Sequence, residues 1–281
     1  MRRSSLLILI FLQGIIGAIP TRGPYPTSHT TLTLSNQDSS DQNVDVYYPS
    51  NASSALRFPL ISYAHGDGGG GAIDWLAYIP LLSSLASHGY VVASTRACNT
   101  GCRDGCATLP NDPSCFGNFY KNQLGVIDAS NISFADYSRV GIAGHSMGGQ
   151  ATLFSSSYTN ASSHGIKAAV MHHAYTHQSP SPQVPFLAFT GSEDLLAPPS
   201  MTKAFFDAGS SQAHRGYVNK ANAGHLEPIF WGNELLGTYT AAWFKLYLDG
   251  TPQANGIDYH SLIYDSLCGG GDGKMTDCQI Y

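Results

Sequence analysis

Apolar and polar positions change period several times along this chain. Residues 30–34 alternate Thr with Leu, and residues 44–48 alternate Val with polar or aromatic side chains. Both segments read as early, partly exposed strands. Pro49-Ser50-Asn51 reads as a turn, and the apolar run 58–64 as a third strand with Pro59 near its start. From residue 73 to 88 the period lengthens, with Trp75, Leu76, Ile79, Leu82 and Leu85 at helical spacing. Pro80 is expected to kink or divide this helix, and Gly89 to stop it. Residues 90–94 form a strongly apolar strand. A long polar loop at 97–118 leads to a short helix at 120–129. Further strands are expected at 140–143, 167–172, 185–190 and 215–218. Helices are expected at 150–155, 201–208 and 235–247, the last containing Tyr239, Ala242, Trp243 and Leu246. From residue 58 onward strands alternate with helices. That order predicts an α/β fold, with a mostly parallel central sheet and helices on both faces. No linker splits the chain, so residues 19–281 read as one domain.

Composition narrows the setting. At 281 residues the chain is long enough for one domain of about 250 residues beside a targeting segment. A net charge of −5 and the lack of a basic run argue against nucleic acid as a partner. Arg2 and Arg3 precede an apolar run at 6–16 that is too short to span a bilayer. Residues 1–18 therefore read as a signal peptide cleaved near Gly17 or Ala18, with an uncleaved anchor as the alternative. No later segment is apolar enough to span a bilayer, so stable membrane insertion is not expected. Six cysteines and N-x-S/T sequons at Asn51, Asn131 and Asn160 agree with a secreted, disulfide-bonded glycoprotein. Cys98, Cys102, Cys106 and Cys115 crowd the polar loop. Their spacing lacks the paired knuckles of a zinc site, so disulfides are expected there and no metal, while three pairings stay open.

The segment with chemistry in it is Gly144-His145-Ser146-Met147-Gly148. A short apolar strand precedes it and a helix follows. This is the context in which G-x-S-x-G holds a serine Oγ above a sheet edge at a strained turn. Here the chain reads as an α/β-hydrolase fold with Ser146 as nucleophile. A serine hydroxyl needs a base, and the base needs an orienting acid. In this fold they follow in the order Ser, acid, His. Asp194, just past the strand at 185–190 and ahead of Ala197-Pro198-Pro199, is the expected acid, with Glu193 as competitor. His225, on a turn before the last helix, is the expected base. His145 is expected to pack beneath the serine. His172, His173 and His177 lie near the sheet rim but precede the acid. The tetrahedral oxyanion needs two backbone N–H donors. Met147 should give one, and Asp67, after His65-Gly66, the other, with Gly68 as the fallback.

These residues, together with Leu85-Ala86-Ser87-His88-Gly89-Tyr90-Val91-Val92 and Asp194-Leu195-Leu196-Ala197-Pro198, resemble the secreted α/β-hydrolases that include bacterial polyester hydrolases (cutinase-like lipases). Plant chlorophyllases and platelet-activating-factor acetylhydrolases lie further off. The similar segments span residues of about 58 to 250. The resemblance implies cleavage of carboxylic esters without metal or organic cofactor. It implies that Tyr175 forms an aromatic wall of the acyl cleft, and that Cys268 pairs with Cys278. The substrate would be a small-molecule or polymeric ester, and the protein a monomer. Two departures concern specificity: Asp67 stands where those hydrolases usually have an aromatic residue, and their common pattern lacks the cysteine-rich loop. A serine peptidase of the same fold, or an inactive binding protein that keeps it, are the competing functions.

Overall fold

The computed structural model describes residues 21–37, 42–66, 75–97, 113–157, 161–229, 233–269 and 275–281. The expected signal peptide (1–18), Asp67, Gly68, Cys98, Cys102 and Cys106 lie outside these residues, as does the side chain of Cys115.

Strands β1 (Thr27–Thr33), β2 (Asn43–Pro49) and β3 (Phe58–Ala64) are followed by helix α1 (Trp75–Ser87) and β4 (Val91–Thr95). Then come α2 (Pro113–Ala129), β5 (Ala135–His145), α3 (Met147–Ser157), β6 (Ile166–His172), β7 (Phe186–Gly191), α4 (Pro199–Ala208), β8 (Arg215–Lys220) and α5 (Glu234–Tyr247). A small hairpin pairs β9 (Gln253–Ala254) with β10 (Ile257–Asp258). A helical turn at Tyr259–Ser261 continues into a wide turn at Leu262–Leu267, and β11 (Met275–Ile280) closes the chain.

Nine described strands form one sheet, in the order β1-β2-β4-β3-β5-β6-β7-β8-β11. From β4 to β8 every pairing is parallel, while β1, β2 and β11 pair antiparallel at the two edges. This is the expected α/β-hydrolase architecture. Every residue of β3, β4 and β7 is buried, as their unbroken apolar runs require of strands covered on both faces. On one face α1 and α5 build a core around Leu81, Leu85, Trp243 and Phe244. On the other, α2, α3 and α4 contribute Leu124, Ile127, Leu153, Phe205 and Phe206.

Two expectations need correction, and a third is narrowed. Of the two outcomes expected at Pro80, a kink or a division, division does not occur: Pro80 lies inside α1. An interior proline costs a helix about 3 kcal/mol. Leu81, Leu82 and Leu85 are all buried and gain about 1.5–3 kcal/mol each, so packing wins. The same helix leaves Leu76 exposed, because the buried stripe runs through Tyr78, Leu81, Leu82 and Leu85. The polar loop is also shorter than expected, since α2 already starts at Pro113, where a missing N–H costs a helix nothing.

The Cys268–Cys278 bond is present, with Cα atoms 5.5 Å apart. It ties the edge strand β11 to the wide turn at Leu262–Leu267. Closing a loop of about ten residues stabilises a fold by about 2–3 kcal/mol. A Cys268→Ser/Cys278→Ser variant should therefore melt about 5–10 °C below the parent, by the usual scaling for a chain of this size. A drop under about 1 °C in a thermal melt would show that the tail lies outside the cooperative unit.

Candidate active site

The parallel strands β5, β6, β7 and β8 end on one sheet edge. The loops beyond those ends bring together Ser146, His173, Asp194 and His225. In open α/β sheets this edge is where ligands bind.

Ser146 sits between β5 and α3 at φ 56°, a left-handed conformation that costs a serine on the order of 1–3 kcal/mol. Three backbone bonds hold it there. Its N–H donates to the His172 carbonyl at 3.0 Å, and its own carbonyl accepts from Gln150 and Tyr175 N–H, both at 3.0 Å. The glycines of the motif permit this turn by close approach. A Cβ on Gly144 would lie 2.3 Å from the Gly148 carbonyl oxygen, and one on Gly148 would lie 2.1 Å from that of Ala64. Both obstacles are backbone and cannot swing aside.

His225 Nε2 lies 2.8 Å from Ser146 Oγ, and its Nδ1 lies 2.9 and 3.1 Å from the two oxygens of Asp194. A carboxylate only accepts, so Nδ1 carries the hydrogen and Nε2 is free to take the hydroxyl proton. Asp194 is buried. Its Oδ1 also accepts from the N–H groups of Leu196 (3.0 Å) and Ala197 (2.7 Å), a turn that Ala197-Pro198-Pro199 then closes. Burial would raise this carboxyl. Hydrogen bonds from His173, His225 and Ala197 overcome it and hold the group well below the usual carboxylate range. Glu193, the competing acid, is exposed on the same loop.

Met147 is the first residue of α3, so its N–H has no acceptor within the helix and lies next to Ser146. Tyr175 is half-buried, linked to the serine turn through its N–H and to His177 Nε2 through its hydroxyl at 3.2 Å.

His145 packs beneath the serine, as expected, and it also bridges two loops. Its Nε2 donates to the His225 carbonyl at 2.8 Å, and its Nδ1 accepts from the Tyr78 hydroxyl at 2.7 Å. The Tyr78 oxygen in turn accepts from Gly66 N–H at 3.0 Å. Burial, then the charges of His225 and His173, push His145 well below the ordinary histidine range and favour the neutral ring, and the His225 carbonyl at Nε2 sets its tautomer.

Sequence order missed two residues, because a histidine ahead of the acid has no place in the Ser, acid, His succession. His173 Nδ1 lies 2.9 Å from Asp194 Oδ2, and its Nε2 lies 3.0 Å from Glu227 Oε2. The adjacent pair His172-His173 at a strand end was the only signal in the chain. A third omission is apolar. Leu195, Leu196 and Leu226, beside Asp194 and His225, are 94%, 58% and 57% exposed.

The ligand-type atoms of His173, Asp194 and His225 lie within 4.8 Å of one another, close enough for one metal ion to share. Both Nδ1 atoms point hydrogens at the same carboxylate, however, so neither offers a lone pair in this arrangement.

The PETase family, described as PET hydrolase-like, matches residues 16–257. The chain is similar to Cutinase 1 of Thermobifida cellulosilytica, 28% identical over 246 residues, covering 81% of this chain and 86% of the relative. A cutinase of Thermobifida fusca is also 28% identical over 246 residues, covering 81% and 75%. The bis(hydroxyethyl) terephthalate hydrolase of Streptomyces coelicolor is 27% identical over 236 residues, covering 81% and 69%.

Proposed function

The chain belongs to the PET hydrolase-like family of carboxylic ester hydrolases, and we propose that it is a secreted serine esterase working through Ser146, His225 and Asp194. The observation that supports this most directly is the single hydrogen-bonded line from Ser146 Oγ through the His225 ring to Asp194. His225 takes the hydroxyl proton as Ser146 Oγ attacks the ester carbonyl. The imidazolium that forms is stabilised by the ionised Asp194 and then protonates the departing alcohol. Water, activated by the same ring, releases the acid from the acyl-serine. Met147 N–H, at the start of α3 beside Ser146, serves as an oxyanion donor; Asp67, the other expected donor, lies outside the described residues.

Export is supported by the charged and apolar N-terminal residues and by the Cys268–Cys278 bond. Among the described residues, no helix is long and apolar enough to cross a membrane. Asn51 and Asn131 are exposed, as sequons must be to carry glycans.

The substrate is a short or medium acyl or aromatic ester, including polyester segments, taken into an open cleft. Leu195, Leu196, Leu226 and Tyr175 make its rim apolar. Residues 173–185, between β6 and β7, contain no helix that could serve as a hinged lid there. Each methylene adds about 0.8 kcal/mol only where a pocket buries it, and a shallow rim saturates early. The test is kcat/KM across p-nitrophenyl esters of increasing acyl length, with and without an emulsified interface. We expect a plateau or decline beyond medium chains and no jump above the solubility limit. A preference for C16–C18 chains, or interfacial activation, would overturn this specificity.

A further inference from the structure

We propose that His173 is a positioning residue for ester hydrolysis, an imidazolium clamp that holds Asp194 against the base and ties the acid loop to the base loop through Glu227. The clamp rests on the catalytic reading given above for Ser146, Asp194 and His225.

Three observations support it. First, the His173 ring is fully buried with a carboxylate at each nitrogen, Asp194 at 2.9 Å and Glu227 at 3.0 Å. Carboxylates accept and do not donate, so both nitrogens must carry hydrogen and the ring is a cation. The energetics agree in direction. Burial opposes the charge, but the bonds to Asp194 and then Glu227 outweigh it and raise the histidine above its ordinary value.

Second, His173 sits at φ 46°, with its N–H held to the Phe189 carbonyl at 2.8 Å. The left-handed region is costly for a side chain with a Cβ, and such strain persists where the surroundings over-determine it. An extended continuation of β6 would send the ring elsewhere, so the strained turn is what places the imidazole between the two loops.

Third, the partners come from separate elements. His173 follows β6, Asp194 follows β7, and Glu227 follows β8 two residues beyond His225. Lys220, at the end of β8, lies 2.5 Å from the other Glu227 oxygen. Lys220, Glu227, His173 and Asp194 thus form a row of alternating charges ending at the neutral base. The row constrains the second loop as well as the acid, because Glu227 cannot shift without dragging His225.

The cation also sets the electrostatics of the base. Asp194 faces His225 from the β7 loop. His145 faces it from β5, with ring centres 5.0 Å apart, and His173 from the β6 loop, with ring centres 6.3 Å apart. His145 also faces His173, at 6.4 Å, and His172 precedes it in the chain; burial keeps both of these neutral. Among the described residues, the cation whose ring faces His225 is therefore His173. A positive neighbour disfavours protonation of the base, and its removal favours it.

The experiment measures kcat and KM of the full-length protein on a soluble p-nitrophenyl ester across pH, for the parent, His173→Gln, Glu227→Gln and the double variant. Fluorophosphonate labelling of Ser146 is followed in parallel. For His173→Gln we expect kcat to fall about 10–100-fold, with KM within about threefold. Its acid limb of kcat/KM should move up by about half to one pH unit. Glu227→Gln should lower kcat in the same manner. The double variant should be no slower than His173→Gln, because both changes break one clamp. A His173→Gln profile that superimposes on the parent after scaling would overturn the clamp, since that is what a purely structural role predicts. If His173→Gln does not fold, an unchanged kcat in Glu227→Gln overturns it alone. A parent that neither hydrolyses the ester nor takes the label overturns the underlying catalytic reading instead.

Discussion

Replacing Ser146 or His225 with Ala is expected to lower kcat by about 10⁴–10⁶ while leaving the fold intact. Ser146 Oγ donates its hydrogen to His225 and takes no part in core packing, so Ser146→Ala removes a reacting atom and little else. His225→Ala removes the only acceptor within reach of that hydroxyl among the described residues. Because the members act as a unit, Ser146→Ala/His225→Ala should be no slower than either single change. Asp194→Asn should cost somewhat less, about 10⁴, by offering the wrong hydrogen-bond pattern to His225 Nδ1. In this chain Asp194→Asn also confronts His173 with an amide where a carboxylate stood, so a loss of stability should accompany the loss of rate. Glu193→Gln should be nearly silent, because that side chain is exposed and it is Asp194 that bonds the His225 ring. Steady-state kinetics on a soluble ester decide the matter. A severe loss in Glu193→Gln with a mild one in Asp194→Asn would mean that the acid has been assigned to the wrong neighbour.

The parts of this site that could be read in the chain are those with a local physical signature. Gly144 and Gly148 announce a backbone approach no other residue permits, and the apolar run before them announces a buried strand. Asp194 is marked by its place between a strand end and Ala197-Pro198-Pro199, and His225 by its turn ahead of α5. What escaped detection depends on distant partners. His173 acquires its meaning only when the loops after β6, β7 and β8 converge, and Glu227 only when His173 is seen to need a second acceptor. Strand β11 escaped because Met275-Thr276-Asp277-Cys278-Gln279-Ile280 has little strand character of its own. It is a strand by virtue of its antiparallel pairing with β8 and the Cys278 bridge. The start of α2 was misplaced because Gly117 and the polar stretch before it look like loop, whereas Pro113 is the residue that opens the helix. Register and edge pairing are tertiary choices here, while turn chemistry is written locally.

Acidification from pH 7.5 to 5 is expected to destabilise the folded protein by about 2–5 kcal/mol, through histidines buried without charge. His88 lies between the Tyr259 hydroxyl at 3.0 Å and Thr238 Oγ1 at 3.4 Å. His172 lies between Thr240 Oγ1 at 2.9 Å and the Tyr63 hydroxyl at 3.4 Å. Burial, with a smaller contribution from Lys245, pushes His88 down to about 3. Burial and the charge on His173 push His172 down to about 3 as well, and His145 is also lowered. In the unfolded chain each ring titrates near its ordinary value of about 6.5. Between that value and about 3, the unfolded state binds protons that the folded state refuses, so stability falls as pH falls. At pH 5 the loss is on the order of 2 kcal/mol for each of His88 and His172, and His145 adds to it in the same direction. His173 has the opposite sign. Its folded value is raised, so its stabilisation is complete below about 6.5 and is lost only as pH rises through the folded value. On acidification it offsets part of the loss. Asp194 and Glu227, both lowered in the fold, begin to withdraw support only below about pH 4.5 and do not enter this window. Three rings against one leave a net loss, to be read from urea midpoints at the two pH values. His172→Gln sharpens the test. The amide can still bond Thr240 but cannot titrate, so the variant should lose about 2 kcal/mol less than the parent between pH 7.5 and 5, even if it begins from a lower stability. Equal midpoints for the parent at both pH values would mean that the buried rings accept protons at no cost, and that Thr240, Tyr63 and Tyr259 do not hold them neutral.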